Sequence, residues 1–270
     1  MLVVPRMTAL GLSATGHLMV YKLSERLWGA STERALWFFQ HWGRRACTWL
    51  RVEVQVRGGA YGAPCIYVCN HRSHLDIALL ARALGTTFLS RADVATWPLV
   101  GAAARATGAV FVDREDPYSR ARAARALHRH VRSASIVVFP EGTTTGGPLP
   151  GRFQIGLFRL VRRLNRPIVP VTIRYSHRAA YWADDTPFGT HLRVQVLGGP
   201  RLSSVIHIGQ PIACAEYPDA AALSQAVYRA ICRPIEELGE LVGDREHPWG
   251  TGTPPGLAGN APHALAGSAH

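Results

Sequence analysis

The run Asn70-His71-Arg72-Ser73-His74-Leu75-Asp76 sets a histidine five positions before an aspartate. An imidazole and a carboxylate make a base and its orienter. The carboxylate accepts from one ring nitrogen, and the other is left to take a proton from a hydroxyl. Five residues of ideal helix turn through about 500°, so the two side chains cannot share a helix face. His71 must therefore sit in a turn, with Asp76 in the first turn of the next helix and folded back onto it. A base and orienter without a protein nucleophile suit a substrate hydroxyl that attacks a thioester directly. On spacing alone the pair is a weak signal, because a histidine is more often a polar surface group. His71 and His74 also have the spacing of a metal pair, but no third ligand cluster lies near them, and no metal site is expected.

Three further runs carry chemistry. Phe139-Pro140-Glu141-Gly142-Thr143-Thr144-Thr145 ends an apolar stretch in a carboxylate, a glycine and three hydroxyls. Glycine permits close backbone approach, and clustered donors suit a phosphate or an oxyanion. No Gly-Lys-Ser/Thr follows, so it is not a nucleotide-binding P-loop, and alone it reads as a turn. Gly108 to Arg114 delivers an arginine at a strand end, where a guanidinium can grip an anion; a local Asp113–Arg114 pair is the plainer reading. Ile168-Val169-Pro170-Val171 is a buried strand with a proline and has no chemical force by itself.

These runs must be held by regular elements. Val52, Val54 and Val56 alternate with polar residues, as in a half-buried strand. Cys65–Cys69 reads as a short buried strand leading into the histidine. Further strands are expected at Thr87–Leu89, Ala109–Val112, Ile136–Phe139, Ile168–Ile173, Leu192–Leu197 and Val205–Ile208. Helices are expected at Ile77–Leu84, Leu99–Ala106, Tyr118–Arg132, Gly156–Leu164 and Ala220–Leu241. Such alternation predicts an α/β fold, a mixed β-sheet flanked by helices, with some antiparallel pairing near the end. Strand ends that lead into helices are where such sheets place their sites.

Met7 to Leu50 reads as helical, and four of the seven tryptophans lie there: Trp28, Trp37, Trp42 and Trp49. Interleaved with Arg26, Arg34, Arg44 and Arg45, they suit a membrane interface, although a packed helical hairpin would use the same residues. No stretch reaches the roughly 18 to 20 uninterrupted apolar residues of a spanning helix. The expected organisation is a membrane-associating helical segment at 1–50, a catalytic domain at 51–245 and a disordered tail at 246–270.

Over 270 residues the net charge is +12, and Lys22 is the single lysine among the basic residues. An anionic partner fits this balance, and so does the arginine enrichment of a GC-rich genome. Arg122, Arg125, Arg129 and Arg132 share one helix face, either against acidic headgroups or simply in solvent. No nucleic-acid module accompanies the charge, and the aromatics cluster with apolar residues, so a nucleic-acid partner is not expected. Five cysteines without metal-type spacing point to a reducing compartment and no structural disulfides.

Taken together, His71-x4-Asp76, Phe111-Val-Asp-Arg114, Phe139-Pro-Glu-Gly142 and Val169-Pro170 resemble, in order, the four blocks of the PlsC-type glycerolipid acyltransferases. The resemblance covers roughly residues 51–171. It implies a glycerol-3-phosphate acyltransferase-like fold and transfer of an acyl group from acyl-CoA or acyl-carrier protein to a lysolipid hydroxyl. No metal or redox cofactor is implied. His71 would be the base and Asp76 its partner, with Asn70 among the substrate-binding residues. Arg114 would grip the acceptor's acidic headgroup. Phe139, Pro140, Glu141, Gly142 and Thr143 would shape the acceptor site, and Pro170 its back wall or acyl pocket. The first expected acceptor is 1-acylglycerol-3-phosphate, giving phosphatidic acid, at the cytoplasmic face of the membrane with a peripheral or monotopic attachment. Trp97-Pro98 and the stretch from Tyr181-Trp182-Ala183-Asp184 to His191-Leu192 are similar to a branch that acylates lyso-ornithine lipid. A non-catalytic membrane adaptor on the same scaffold and a basic nucleic-acid-binding protein are the remote alternatives.

Overall fold

The structure, a computed structural model, describes residues 3–182 and 186–241. The expected tail at 246–270, the end of the expected catalytic domain at 242–245, and Asp184 lie outside them.

Chemistry at residue 71 needs a rigid strand to aim it, and a seven-stranded sheet supplies one. Its strands are β1 (Val52–Arg57), β2 (Ile66–Cys69), β3 (Thr87–Arg91), β4 (Val110–Val112), β5 (Ile136–Val138), β6 (Ile168–Tyr175) and β7 (Leu202–Ile208). They lie in the order β1-β7-β6-β2-β5-β3-β4. All neighbours are parallel except β6 and β7, which pair antiparallel from Val171 opposite Ile208 to Tyr175 opposite Ser204. The expected mixed sheet is therefore the one observed.

Central strands are buried on both faces, and their side chains divide by the period of two. Ile66, Val68, Ile136, Val138 and Ile168 enter one core. Helices α5 (Pro117–His130), α6 (Ile155–Leu164) and α8 (Ala220–Leu241) cover it. Tyr67, Cys69, Val137, Val169, Val171, Ile173 and Tyr175 enter the opposite core. That face is covered by α2 (Thr32–Trp49) and α3 (Leu75–Leu84). Each fully buried Leu or Ile there is worth about 1.5–3 kcal/mol of transfer from water.

The aromatic N-terminal run is not one helix. Gly29, at φ 77°, ends α1 (Val3–Trp28), and Ser31 caps α2 by accepting from Arg34 N–H at 3.2 Å. Tyr21 packs edge-on to Phe38 at 6.3 Å, so the two helices form a hairpin. Helix α2 comes close to α3 at Gly43, where a Cβ would stand 2.7 Å from Arg82 N and 2.8 Å from Ala78 O. No described helix is both long and apolar enough to cross a membrane.

One expected element is wrong. Residues His191–Leu197 form a π-helix, continuing the short helix α7 (Phe188–Thr190), and not a strand. The alternation of Leu192, Val194 and Val196 suggested a strand, yet β6 and β7 are already direct neighbours and β1 takes the other edge of β7. A strand at 192–197 would have no partner beside them. Coiled into a helix, the segment buries His191, Leu192, Val196 and Leu197 and leaves Val194 exposed. Tertiary packing overrides β-branched propensity here.

Candidate active site

Strand β2 ends at Cys69, and the next residue fixes how the chain leaves the sheet. The Asn70 side chain is fully buried. Its Nδ2 donates to Ile173 O at 2.9 Å, and its Oδ1 accepts from Ile173 N–H at 2.7 Å. It therefore acts as one more rung of the β2–β6 ladder, and the turn begins from a fixed point.

That turn brings His71 and Asp76 together in the expected way. His71 Nδ1 lies 2.8 Å from Asp76 Oδ2. The same oxygen accepts from the backbone N–H of Arg72 at 2.7 Å and of Ser73 at 3.0 Å. Oδ1 accepts from the Tyr175 hydroxyl at 2.6 Å. Four donors thus converge on a carboxylate that is fully buried, which fixes its position and the imidazole it holds. With Nδ1 engaged, Nε2 is the nitrogen left for a substrate. The His71 side chain keeps 19% of its surface exposed, enough for a hydroxyl to reach it.

The carboxylate of Glu141 braces the same turn from β5. It accepts from His71 N–H at 2.7 Å, from Gly151 N–H at 2.6 Å and from the Thr145 hydroxyl. Thr145 N–H in turn donates to His71 O at 2.9 Å. Both backbone polar groups of His71 are thereby tied to the 141–151 loop. Arg72, 1% exposed, secures the rest of that loop. Its guanidinium donates to the carbonyls of Gly147 at 2.7 Å, Pro148 at 3.1 Å and Thr145 at 3.2 Å, and lies over the Tyr181 ring.

Phe139 stacks on the His71 ring, with centroids 3.9 Å apart. It stacks in turn on Phe88, which meets Phe39 edge-on, and Phe39 stacks on Trp42. Phe88, Phe39 and Trp42 line an apolar cavity of about 170 Å³ between the N-terminal hairpin and the sheet. An aromatic ladder therefore runs from the imidazole into an apolar chamber.

Other expected site residues take different stations. Arg114 follows β4, and its Nη1 donates to Gly142 O at 2.8 Å. Partial burial first, and the nearby Arg91 charge second, lower its pKa. Pro140 is buried, and its carbonyl accepts from Gln154 N–H at 2.8 Å. Thr143 is exposed, and it is Thr145 that joins the hydrogen-bond network. Pro170 lies within β6, opposite Val68 and against Gly209.

Sequence reasoning missed Arg72, Thr145, Arg91 and Tyr175 in this arrangement. Arg72 and Thr145 were within reach, one inside the histidine motif and the other last of three hydroxyls. Arg91 ends a strand, which was a usable signal. Tyr175 lies 99 residues from Asp76 and carries no local signal.

His74 stands apart from this network. Neither ring nitrogen has a hydrogen-bond partner among the described residues, and the ring sits against Phe188, Trp182 and His191. Burial, then the His191 and His71 charges, push its pKa down to about 3. In the unfolded chain it titrates near 6.5, so between these values the unfolded state binds the extra proton. The contribution is complete above about pH 6.5 and is lost as pH falls towards 3. The His191 pKa is also lowered, chiefly by burial, and acts in the same direction. The melting temperature should fall from pH 7 to pH 5, and His74→Phe should flatten that slope. Equal slopes in the two proteins would contradict the assignment.

A seven-stranded α/β sheet thus aims a carboxylate-held imidazole from a strand end, beside an apolar chamber. The family model described as Acyltransferase matches residues 51–174. A lyso-ornithine lipid O-acyltransferase of Pseudomonas aeruginosa is 33% identical over 83% of this chain and 88% of its own length. One from Rhodobacter capsulatus is 31% identical over 67% and 70%. A chloroplastic 1-acyl-sn-glycerol-3-phosphate acyltransferase of Brassica napus is 35% identical over 41% of this chain and 33% of its own length. The crystal structure of the 1-acyl-sn-glycerophosphate acyltransferase PlsC from Thermotoga maritima superposes with a TM-score of 0.67. It covers 88% of this chain and 94% of that one at 20% identity, and so shares the fold. The chain belongs to the PlsC-type acyltransferase family. It is an enzyme, an acyltransferase.

Proposed function

We propose that this enzyme moves a fatty acyl group from an acyl-CoA or acyl-carrier protein thioester to the hydroxyl of a lysolipid, with lyso-ornithine lipid as the acceptor. The observation that carries the reading is the His71 imidazole, held through Nδ1 by buried Asp76 and stacked at the head of the aromatic ladder. The two bacterial relatives described above, which cover 83% and 67% of the chain, carry that acceptor in their names. A second reading, 1-acylglycerol-3-phosphate as acceptor, is favoured by the adjacent cations of Arg114 and Arg91.

In the proposed reaction, His71 Nε2 takes the acceptor hydroxyl's proton as its oxygen attacks the thioester carbonyl. The new C–O bond forms, the C–S bond breaks, and the departing thiolate takes the proton back from the imidazolium. Asp76 stabilises the cation that exists between these two transfers. The chemistry so written needs neither metal nor redox cofactor. The apolar cavity would take a fatty chain, and Arg114 the acceptor's anionic group, whose charge would relieve its repulsion with Arg91.

Membrane attachment would be made through the N-terminal hairpin. Val4, Leu12, Met19, Leu23 and Leu27 are exposed within one half of the circumference of α1, and Trp28 and Trp37 are exposed near the hairpin bend. An exposed apolar surface of this size suits insertion among lipid chains, with the enzyme attached at the cytoplasmic face.

The test is turnover by purified protein with both donor types and both acceptors side by side. Acylation of lyso-ornithine lipid supports the reading, acylation of lysophosphatidic acid alone moves it to the second, and no product in any arm overturns both. Gly142→Ala probes the anion site. Gly142 has φ 80°, and a Cβ there would collide with the Arg114 guanidinium. Losing one charge-assisted contact should raise the acceptor KM by about tenfold, with kcat less affected. An unchanged KM would remove Arg114 from the acceptor site.

A further inference from the structure

We propose that Tyr175 is a positioning residue for the catalytic pair, its hydroxyl holding Asp76 from the side opposite His71 and setting how strongly the carboxylate supports the imidazolium. This rests on the reading of His71 as the base. The geometry is direct. Tyr175 ends β6 with its ring in the core beneath the site, 4% exposed. Its hydroxyl donates to Asp76 Oδ1 at 2.6 Å, while His71 and two backbone N–H groups occupy Oδ2. Among the described residues Tyr175 is the hydrogen-bond partner of Oδ1. The rest of the surroundings are crowded but differently engaged. Glu141 faces His71 N–H, the Arg72 guanidinium faces the 145–149 carbonyls, and His74 lies among aromatics. Cys69 on β2 and Cys47 on α2 are buried thiols within electrostatic range of the phenol. Burial and the Asp76 charge raise the Tyr175 pKa well above its usual value, so the phenol stays a donor.

A donor to one oxygen draws charge away from the other. With the phenol in place, Oδ2 is a weaker partner for a protonated His71. Without the phenol the full carboxylate charge faces the imidazolium and supports it more strongly. Tyr175 would thus limit the support Asp76 gives the imidazolium, while Asp76 holds its tautomer and direction.

The test measures the His71 titration midpoint by NMR of the imidazole Cε1–H, assigned with His71→Ala, in the full-length protein. Tyr175→Phe should raise the midpoint by about half to one unit, a fraction of what a whole neighbouring charge does. The acid limb of kcat/KM should move up with it. In an Asp76→Asn background the same substitution should leave the midpoint where Asp76→Asn alone puts it. If Tyr175→Phe fails to fold, 3,5-difluorotyrosine at position 175, a stronger donor of nearly the same shape, should lower the midpoint. A midpoint that ignores both changes to the phenol, in folded protein, overturns the proposal. Because the NMR reading needs no turnover, an error in the acceptor assignment leaves this test intact.

Discussion

His71→Ala is expected to lower turnover by at least ~10³-fold, the upper part of the range for a general base, while the protein stays folded. The two halves of that expectation have separate causes. In the proposed mechanism catalysis depends on Nε2, the imidazole nitrogen not engaged by Asp76, and alanine offers no substitute proton acceptor. The fold depends on other atoms of the same residue. His71 N–H and C=O, which bind Glu141 and Thr145, belong to the backbone and survive the substitution. Asp76 keeps three of its four donors. The loss of ring stacking on Phe139 should cost only about 1 kcal/mol. Circular dichroism and thermal melting of the variant beside single-turnover acyl transfer would check both halves. Turnover within tenfold of wild type in a folded variant would remove His71 from the chemistry.

Asp76→Asn is expected to cost about 10²-fold in kcat/KM and to move the acid limb to lower pH. The reasoning turns on which atom of the amide faces His71. The Oδ2 position receives two backbone N–H groups, from Arg72 and Ser73, besides the imidazole. An NH2 group there would confront three donors, so the asparagine oxygen must take that place and the amine must turn towards Tyr175. The imidazole therefore keeps its tautomer, with the proton on Nδ1 and the lone pair on Nε2. What disappears is the negative charge that stabilises the imidazolium, so the base becomes weaker and titrates lower. The amine also meets the Tyr175 hydroxyl, which must rotate to accept, so some stability is lost. A pH–rate profile of the variant decides the matter. An acid limb that moved up, or stayed, would mean that Asp76 acts on His71 in another way.

The two variants mark the boundary between what the chain's local order fixes and what its folding adds. His71-x4-Asp76 was legible because a turn and the first turn of a helix are local. Six consecutive residues suffice to fold the carboxylate back onto the imidazole, and the spacing excludes a shared helix face. Alternating strands and helices were legible for the same reason, since periods of 2 and 3.6 are written in neighbouring residues. The helical character of the tryptophan-rich run was legible likewise, and the short spacing of the last strands in the chain announced some antiparallel pairing, found between β6 and β7. Residues His191–Leu197 mark the failure of that rule. Their alternation is that of a strand, but whether a strand forms depends on a free neighbour in the sheet, and both edges of β6 and of β7 are already taken.

By itself, then, the sequence determined the order of most of the elements, the meeting of His71 with Asp76, and the four blocks that mark the family. Only the tertiary structure decided how that pair is held. Glu141, read as part of an acceptor site, turns inward onto the His71 backbone. Arg72, read as a spacer, closes the 145–149 loop, and Tyr175 reaches Asp76 across 99 residues of chain. Asn70, read beside the substrate, has its amide engaged with Ile173. The physical reason is common to all four. A buried polar side chain must find partners, and those partners are chosen by which strands lie side by side in the sheet, a property no run of adjacent residues encodes.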